Sequence, residues 1–290
     1  MLLTIIVVIY GKNFCDSTSL KSLRACQLNN IKLVVYNNGP IFLDSNDCYD
    51  LFSDITKRYN FSLEVIQEIS NRPLSKVYNH IIEKNMDSEY FMILDDDTEV
   101  PINYFPLRAF QLSYDIGIPM ISVSNNHKVI YPEVNGEIIT KEGFCEKVKN
   151  IKAISSGLVI HNNVIIKIKN SYPDIFDTRF AFYGVDFTFL RRIVELNKLY
   201  HFRIYIENAL THSLSRVEGD ISQWRYKERV IDVVLTSLLY EKSKVKAWRC
   251  IMKLLLVNII KLRYGVISVI CSSIVKKKTP KMLEVIKWII

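Results

Sequence analysis

The chain of 290 residues is 49% hydrophobic and 11% aromatic, which supplies a full core and excludes a disordered polypeptide. Its formal charge of +8 is concentrated: residues 241–290 hold twelve Lys and Arg against two Glu, a local +10 that leaves −2 for residues 1–240. That distribution argues against a basic nucleic-acid-binding body and directs the tail toward an anionic surface such as a membrane leaflet. Six scattered cysteines without a C-x-x-C pair read as reduced thiols in a cytosolic setting rather than as a disulfide framework or a zinc site.

The first apolar stretch, Leu2 to Tyr10, has no basic leader and no small-residue cleavage site, so it reads as a strand and not as a signal peptide. Thr4–Tyr10 is β-branched without polar alternation, as a central parallel strand requires. Gly11–Ser17 forms the loop above it, and Asp16 and Ser17 are candidate caps of a helix carrying Leu20, Leu23 and Leu28. A second strand, Ile31–Tyr36, stops at Asn37-Asn38-Gly39-Pro40. This order begins a nucleotide-binding α/β sheet. Phe61–Ile66 is a third strand. Leu74, Val77, Tyr78, Ile81 and Ile82 then repeat at i, i+3, i+4, i+7 and i+8, marking an amphipathic helix.

That helix feeds Tyr90-Phe-Met-Ile-Leu-Asp-Asp-Asp-Thr-Glu-Val-Pro101. Tyr90–Leu94 suits a strand buried on both faces, and Asp95, Asp96 and Asp97 then fall at its C-terminal end, where open α/β sheets bind ligands. Alternation along an extended segment puts Asp95 and Asp97 on one side, from which they can share Mg²⁺ or Mn²⁺ with a diphosphate. The same acids also suit a solvated turn capping the next helix.

Farther along, Ile116–Val123 is a strand, and Asn135-Gly136 inside Val129–Ile139 signals a hairpin and a change to antiparallel order. Ile154–Ile160 is a strand of small residues around Gly157. In Tyr172–Arg192, Asp186 follows Tyr183-Gly184 at the start of a helix, a position equally suited to capping. His201–Glu207 reads as a strand, with His212 in a short loop beyond it. Asp220–Leu239 is a helix, with Trp224 on its apolar face. The tail, 241–290, alternates basic and apolar runs too short to span a bilayer. It suits helices lying in the membrane interface, with Trp248 and Trp288 at headgroup depth and Lys276–Lys278 on anionic lipid. A helical hairpin for self-association stays open.

Leu94-Asp95-Asp96-Asp97-Thr98, about ninety residues into a chain that starts with a strand, resembles the DxD motif of family 2 glycosyltransferases of the surface-polysaccharide, rhamnosyltransferase-like type. The resemblance covers roughly residues 3–240. It implies a GT-A fold, a Rossmann-like mixed sheet with flanking helices, over residues 1–240, followed by the basic amphipathic helical tail. It further implies inverting transfer of a sugar from a nucleotide-sugar donor to a glycan or lipid-linked acceptor, in a peripheral enzyme at the cytosolic membrane face. Asp95, Asp97 and His212 would hold Mg²⁺ or Mn²⁺. Tyr10, Asn38, Asn79, Asp95 and Asp96 would contact the donor. Gly157, Tyr183 and Trp224 would line the sugar and acceptor side. Asp186 would be the catalytic base, with Arg192 at the family's spacing. Three departures stand out: Asn37 and Asn38 replace the acid that ends the second strand, and Val185 and Thr188 replace the acids flanking Asp186. Gln223-Trp224-Arg225 is similar to the Q-x-x-R-W motif of processive synthases but lacks its spacing, and carries no inference of processivity. The rival readings are a nucleotidyltransferase, for which Gly11-Lys12-Asn13 is a poor phosphate loop, and a non-catalytic membrane-binding adaptor on a transferase body.

Overall fold

A computed structural model describes residues 2–105, 108–123, 128–212 and 223–279. The chain forms two compact units: Met1–Asn71, Tyr78–Ile175 and Leu190–Leu214 in the first, Arg72–Val77, Phe176–Phe189 and Ser215–Ile290 in the second.

The first unit opens with β1 (Leu3–Ile9), α1 (Thr18–Arg24) and β2 (Ile31–Asn37). There follow α2 (Ser45–Leu51), α3 (Ser53–Arg58), β3 (Phe61–Gln67), α4 (Leu74–Lys84) and β4 (Tyr90–Asp95). Helix starts are set by local chemistry: the Ser17 side chain accepts the Leu20 amide to cap α1, and Asp44 accepts the Asn46 amide to cap α2. All four strands are parallel, with β1 between β2 and β4. Leu3, Ile5, Val7 and Ile9 join a core with Leu20 and Leu23 of α1 and with Cys48, Phe52 and Ile55. Thr4, Ile6 and Val8, on the opposite face, are buried as well. A strand that presents no side chain to water has no use for polar alternation, so β1 and β4 read as unbroken apolar runs.

The sheet continues through β5 (Thr98–Glu99), the short α5 (Ala109–Leu112), β6 (Ile116–Val123) and β7 (Val129–Tyr131). Next come β8 (Glu133–Val134), β9 (Glu137–Ile138), β10 (Gly143–Phe144), β11 (Ile151–Lys152) and β12 (Val159–His161). Then follow α6 (Asn162–Ser171), α7 (Val185–Tyr200) and β13 (Ile204–His212). In space the order is β10-β13-β6-β12-β4-β1-β2-β3, with β5 on β13 and β7 on β6, so order reverses between β1 and β4. The hairpin at Asn135-Gly136 forms as expected: φ is +55 and +96 there, and Glu133 faces Ile138 across the turn.

Two predicted strands are corrected. The Ile154–Ile160 run is extended only from Val159, because Ser156 and Gly157 form a turn. Gly157 has φ +83, and a Cβ there would come within 2.3 Å of Leu210 and 2.5 Å of Pro119, so the fold itself requires glycine. The strand expected at His201–Glu207 starts at Ile204 and runs on to His212. Its register against β6 slips by one residue between Glu207 and Ala209, opposite Pro119, whose missing N–H suits a bulge. Beside the bulge, Glu207 is buried and accepts the Tyr114 hydroxyl; burial pushes its carboxyl up to about 7.

The second unit contains α8 (Gln223–Tyr240), α9 (Lys244–Ile260) and α10 (Tyr264–Lys276). Val230 and Val234 of α8 pack with Ile251 of α9 and with Val266 and Ile270 of α10. Asn258, an interruption in the apolar tail, is buried and accepts the Tyr226 hydroxyl at 3.1 Å. The expected boundary after residue 240 thus separates α8 from two helices with which it shares a core. Residues 220–222 of the expected helix and the tail from residue 280, Trp288 included, lie outside the described residues. Among the described residues no helix is long and apolar enough to cross a membrane.

Candidate active site

The site begins where β4 runs out of apolar residues. Asp95 is the last residue of the strand, Asp96 and Asp97 form a turn, and Thr98–Glu99 leave as β5. The expected extended alternation is therefore replaced by a reversal, and Asp95 and Asp97 still converge. The turn is pinned from two sides. Ser17 Oγ donates to the Asp96 carbonyl (2.9 Å), while Ser19 Oγ donates to the Asp95 carbonyl and accepts the Thr98 amide (3.1 Å). From the other side, the Asp95 amide donates to Ser156 Oγ (3.0 Å), which also bonds Thr98 Oγ1 (2.6 Å). Sequence reasoning named Ser17 only as a helix cap and passed over Ser19 and Ser156; hydroxyls at a helix start and beside a glycine turn were the available signal.

His212 reaches the acids through backbone pairing rather than from a loop. It ends β13, and β5 lies antiparallel on that end, with Thr211 opposite Glu99 and His212 opposite Thr98. Its Nε2 sits 3.0 Å from Asp95 Oδ2 and 3.4 Å from Asp97 Oδ1. The His212 side chain is 8% exposed, against 35% for Asp95 and 29% for Asp97. One ligand atom from each of the three lies within 4.8 Å of the others. Two carboxylates this close repel each other, and a divalent cation among them removes that cost. Two carboxylate oxygens and one imidazole nitrogen are a donor set that could hold such an ion.

Asp96 is set apart. Its carboxylate takes Lys12 Nζ at 2.9 Å; burial raises its pKa, and Lys12 works against that shift. Lys12, its side chain 31% exposed, is thus paired with an acid at the strand end.

The remaining candidates fall in both units. Tyr10 follows β1 and is half exposed, and Asn38 follows β2, buried, with its amide on the Ile9 carbonyl (2.8 Å). These two belong to the same C-terminal edge of the parallel strands as Asp95. The neighbouring Asn37 acts structurally: its Nδ2 donates to Gln67 Oε1 (2.7 Å) and to the Ile41 carbonyl (2.8 Å). Asn79 is buried on α4. Arg192, also in the first unit, is buried and donates to the carbonyls of Asp174 (2.7 Å) and Ile175 (3.1 Å), so it braces the segment before α7.

Tyr183, Asp186 and Trp224 belong to the second unit. Asp186 occupies the first turn of α7. Thr188, standing where the resemblance calls for a second acid, is buried and donates its hydroxyl to the Gly184 carbonyl (2.7 Å). Gly184 has φ +81, and a Cβ would meet Asp232 Oδ1 at 2.3 Å. Trp224 lies edge-on to Phe182, ring centres 5.7 Å apart. Asp177, the nearest acid before Asp186 in sequence, is buried and takes two bonds from the Arg179 guanidinium (2.8 and 2.6 Å) and one from Tyr240 Oη (2.6 Å). That carboxylate is a structural anchor.

A parallel 3-2-1-4 run of strands with an acidic turn at its switch point, continued into a mixed sheet flanked by helices, is the fold of GT-A glycosyltransferases. Among solved structures the chain is similar to S. aureus TarS, at TM-score 0.53 and 14% identity over 86% of this chain and 42% of that one. It is also similar to S. aureus TarS 1-349 in complex with UDP-GlcNAc, at TM-score 0.52 and 13% identity over 86% of this chain and 70% of that one. A third such structure is GalNAc-T7 with UDP, GalNAc and Mn²⁺, at TM-score 0.51 and 13% identity over 81% of this chain and 48% of that one. At such identities the likeness is one of fold, and the chain spans less than half of the first TarS chain and of GalNAc-T7. No family model and no curated protein sequence matches the chain.

Proposed function

We propose that the protein is a metal-dependent, inverting glycosyltransferase that moves a sugar from a nucleotide-sugar donor to a hydroxyl of a glycan or lipid-linked acceptor in surface-polysaccharide synthesis at the cytosolic membrane face. The observation that carries the reading is the meeting of Asp95, Asp97 and His212 at the C-terminal end of the parallel strand β4. In it, Asp95, Asp97 and His212 hold Mn²⁺ or Mg²⁺, and Tyr10, Asn38, Asn79 and Asp96 border the donor. A cation bound there offsets the charge of the departing diphosphate.

Asp186 accepts the proton of the acceptor hydroxyl as that oxygen bonds to the anomeric carbon and the bond to the diphosphate breaks. Asp177, tied to Arg179 and Tyr240, is not available for that work. Tyr183 and the Phe182–Trp224 pair offer aromatic faces suited to sugar rings, and Gly157 lies on the sugar side. The UDP complexes of TarS 1-349 and GalNAc-T7 make uridine diphosphate sugars the first donors to try.

The test is a panel of nucleotide sugars with Mn²⁺, Mg²⁺ or chelator, read as nucleoside diphosphate release with and without sugar acceptors. Release from one donor class, lost on chelation, is the expected result. No release from any donor would overturn the reading in favour of a non-catalytic adaptor, for which Thr188 in place of an acid is the supporting observation.

A further inference from the structure

The inner side of α9 is fully accounted for. Ala247, Ile251 and Asn258 are buried, and Ile251, Leu254 and Leu255 join the core shared with α8 and α10. Its outer side carries a second apolar row: Val245, Trp248, Met252, Leu256 and Ile259, each between 47% and 69% exposed. At 3.6 residues per turn these five positions fall within an arc of about 80°. Lys246, Arg249 and Lys253 occupy the adjoining ridge. From Lys242 to Thr279 the chain holds ten Lys and Arg and no Asp or Glu.

We infer that the outer face of α9 is an interfacial membrane-binding face for lipid bilayers rich in anionic headgroups. The helix lies in the plane of the surface, with Trp248, Met252, Leu256 and Ile259 in the acyl boundary and Lys246, Arg249 and Lys253 among the phosphates. Charge decides between the two occupants that a regular apolar row could take. A second copy of α9 would bring like-charged flanks together with no carboxylate on the helix to pair them, whereas an anionic leaflet supplies the missing countercharge. With 17 residues, and with Lys253 at mid-length, α9 is suited to lie on a bilayer rather than cross it. This inference narrows the sequence expectation, which distributed the tail's contact over both of its apolar runs and Lys276–Lys278. It is independent of the transferase reading, since nucleotide release without vesicles and vesicle binding without donor are separate measurements.

The experiment is flotation of the full chain with phosphatidylcholine vesicles, with and without phosphatidylglycerol, at low and high salt. Parent protein is expected to float with the anionic vesicles, weakly with the neutral ones, and less as salt rises, since attraction is screened over about 8 Å at physiological ionic strength. Leu256→Gln with Ile259→Gln, both at exposed positions, should cut partitioning about tenfold or more while circular dichroism and melting stay those of the parent. Lys246→Gln, Arg249→Gln and Lys253→Gln together should remove the preference for anionic lipid. Parental flotation of the Leu256/Ile259 variant, or equal parental binding to neutral and anionic vesicles at all salts, would overturn the proposal. So would a parental dimer by light scattering that the same variant dissociates, accompanied by no vesicle binding.

Discussion

The two units of the chain treat their carboxylates in opposite ways. In the second, Asp177 is enclosed by a bidentate guanidinium and a phenol hydroxyl, so its charge is neutralised where it stands. In the first, Asp95 and Asp97 are turned toward each other around His212, while the nearby Lys12 is drawn off to Asp96. Enclosure of the first kind stabilises a fold; convergence of the second kind sets like charges close together around one imidazole, a repulsion that the proposed cation would offset. The difference separates an acid closed in by its partners from two acids left part-exposed at the end of a strand, a distinction the sequence alone does not draw for Asp177.

Substitutions should pull the two classes apart. Asp97→Asn should weaken Mn²⁺-dependent binding of uridine diphosphate by more than the roughly 10–100-fold that follows loss of an outer partner of a metal ligand. Melting without metal should be unchanged or higher, and calorimetry reads the binding. Asp177→Ala should show the converse. Its loss should cost about 3 kcal/mol in urea unfolding, at the low end for a broken buried pair because Arg179 is 38% exposed and can rehydrate. Nucleotide affinity should stay that of the parent; a large loss of affinity would erase the comparison.

Glu207 extends the contrast into the first unit, since it is buried beside Tyr114 with its carboxyl raised from 4.5 to about 7. The folded state then holds the proton more tightly than the unfolded one. Its stabilising share is complete below about pH 4.5, shrinks as pH rises, and is gone above about 7, a span of about 3 kcal/mol. Glu207→Gln should flatten that slope in unfolding experiments across the range. Next in size, Asp186→Asn should leave diphosphate affinity intact and lower turnover by about 10²-fold, the scale of a lost general base. A loss of only a few-fold would make Asp186 a helix cap. Smallest, Ser156→Ala should cost about 1 kcal/mol in stability, by removing the acceptor of the Asp95 amide. It should also weaken Mn²⁺ binding up to about tenfold, because the acidic turn loses one of its two braces.

Much of this was legible in advance where chemistry is local. β1, β2 and β6 are runs of apolar residues bounded by turn formers, and the three acids end a strand whose burial their own neighbours dictate. His212 was readable as a candidate, but not by what route it arrives. Its partner Asp95 is 117 positions away, and the two-residue β5 that brings them together has no periodicity to detect. Gly157 was singled out for a ligand's approach, whereas Leu210 and Pro119 already exclude a side chain there. The reach of α8 into the tail's core was hidden for a related reason: Val230 and Val234 read as an apolar face without saying which face receives them.

The slip in β13 fixes which way the end of that strand faces. Tyr205 before it and Leu210 after it share one core cluster, although five residues of regular strand would set them on opposite sides. The additional residue, Asn208, inverts the phase of everything downstream, and His212 inherits the inverted phase. Removing one residue between Ile206 and Leu210 would therefore not be a local edit. It would exchange inside for outside along the rest of the strand and carry the imidazole away from Asp95 and Asp97 with the backbone path nearly unaltered.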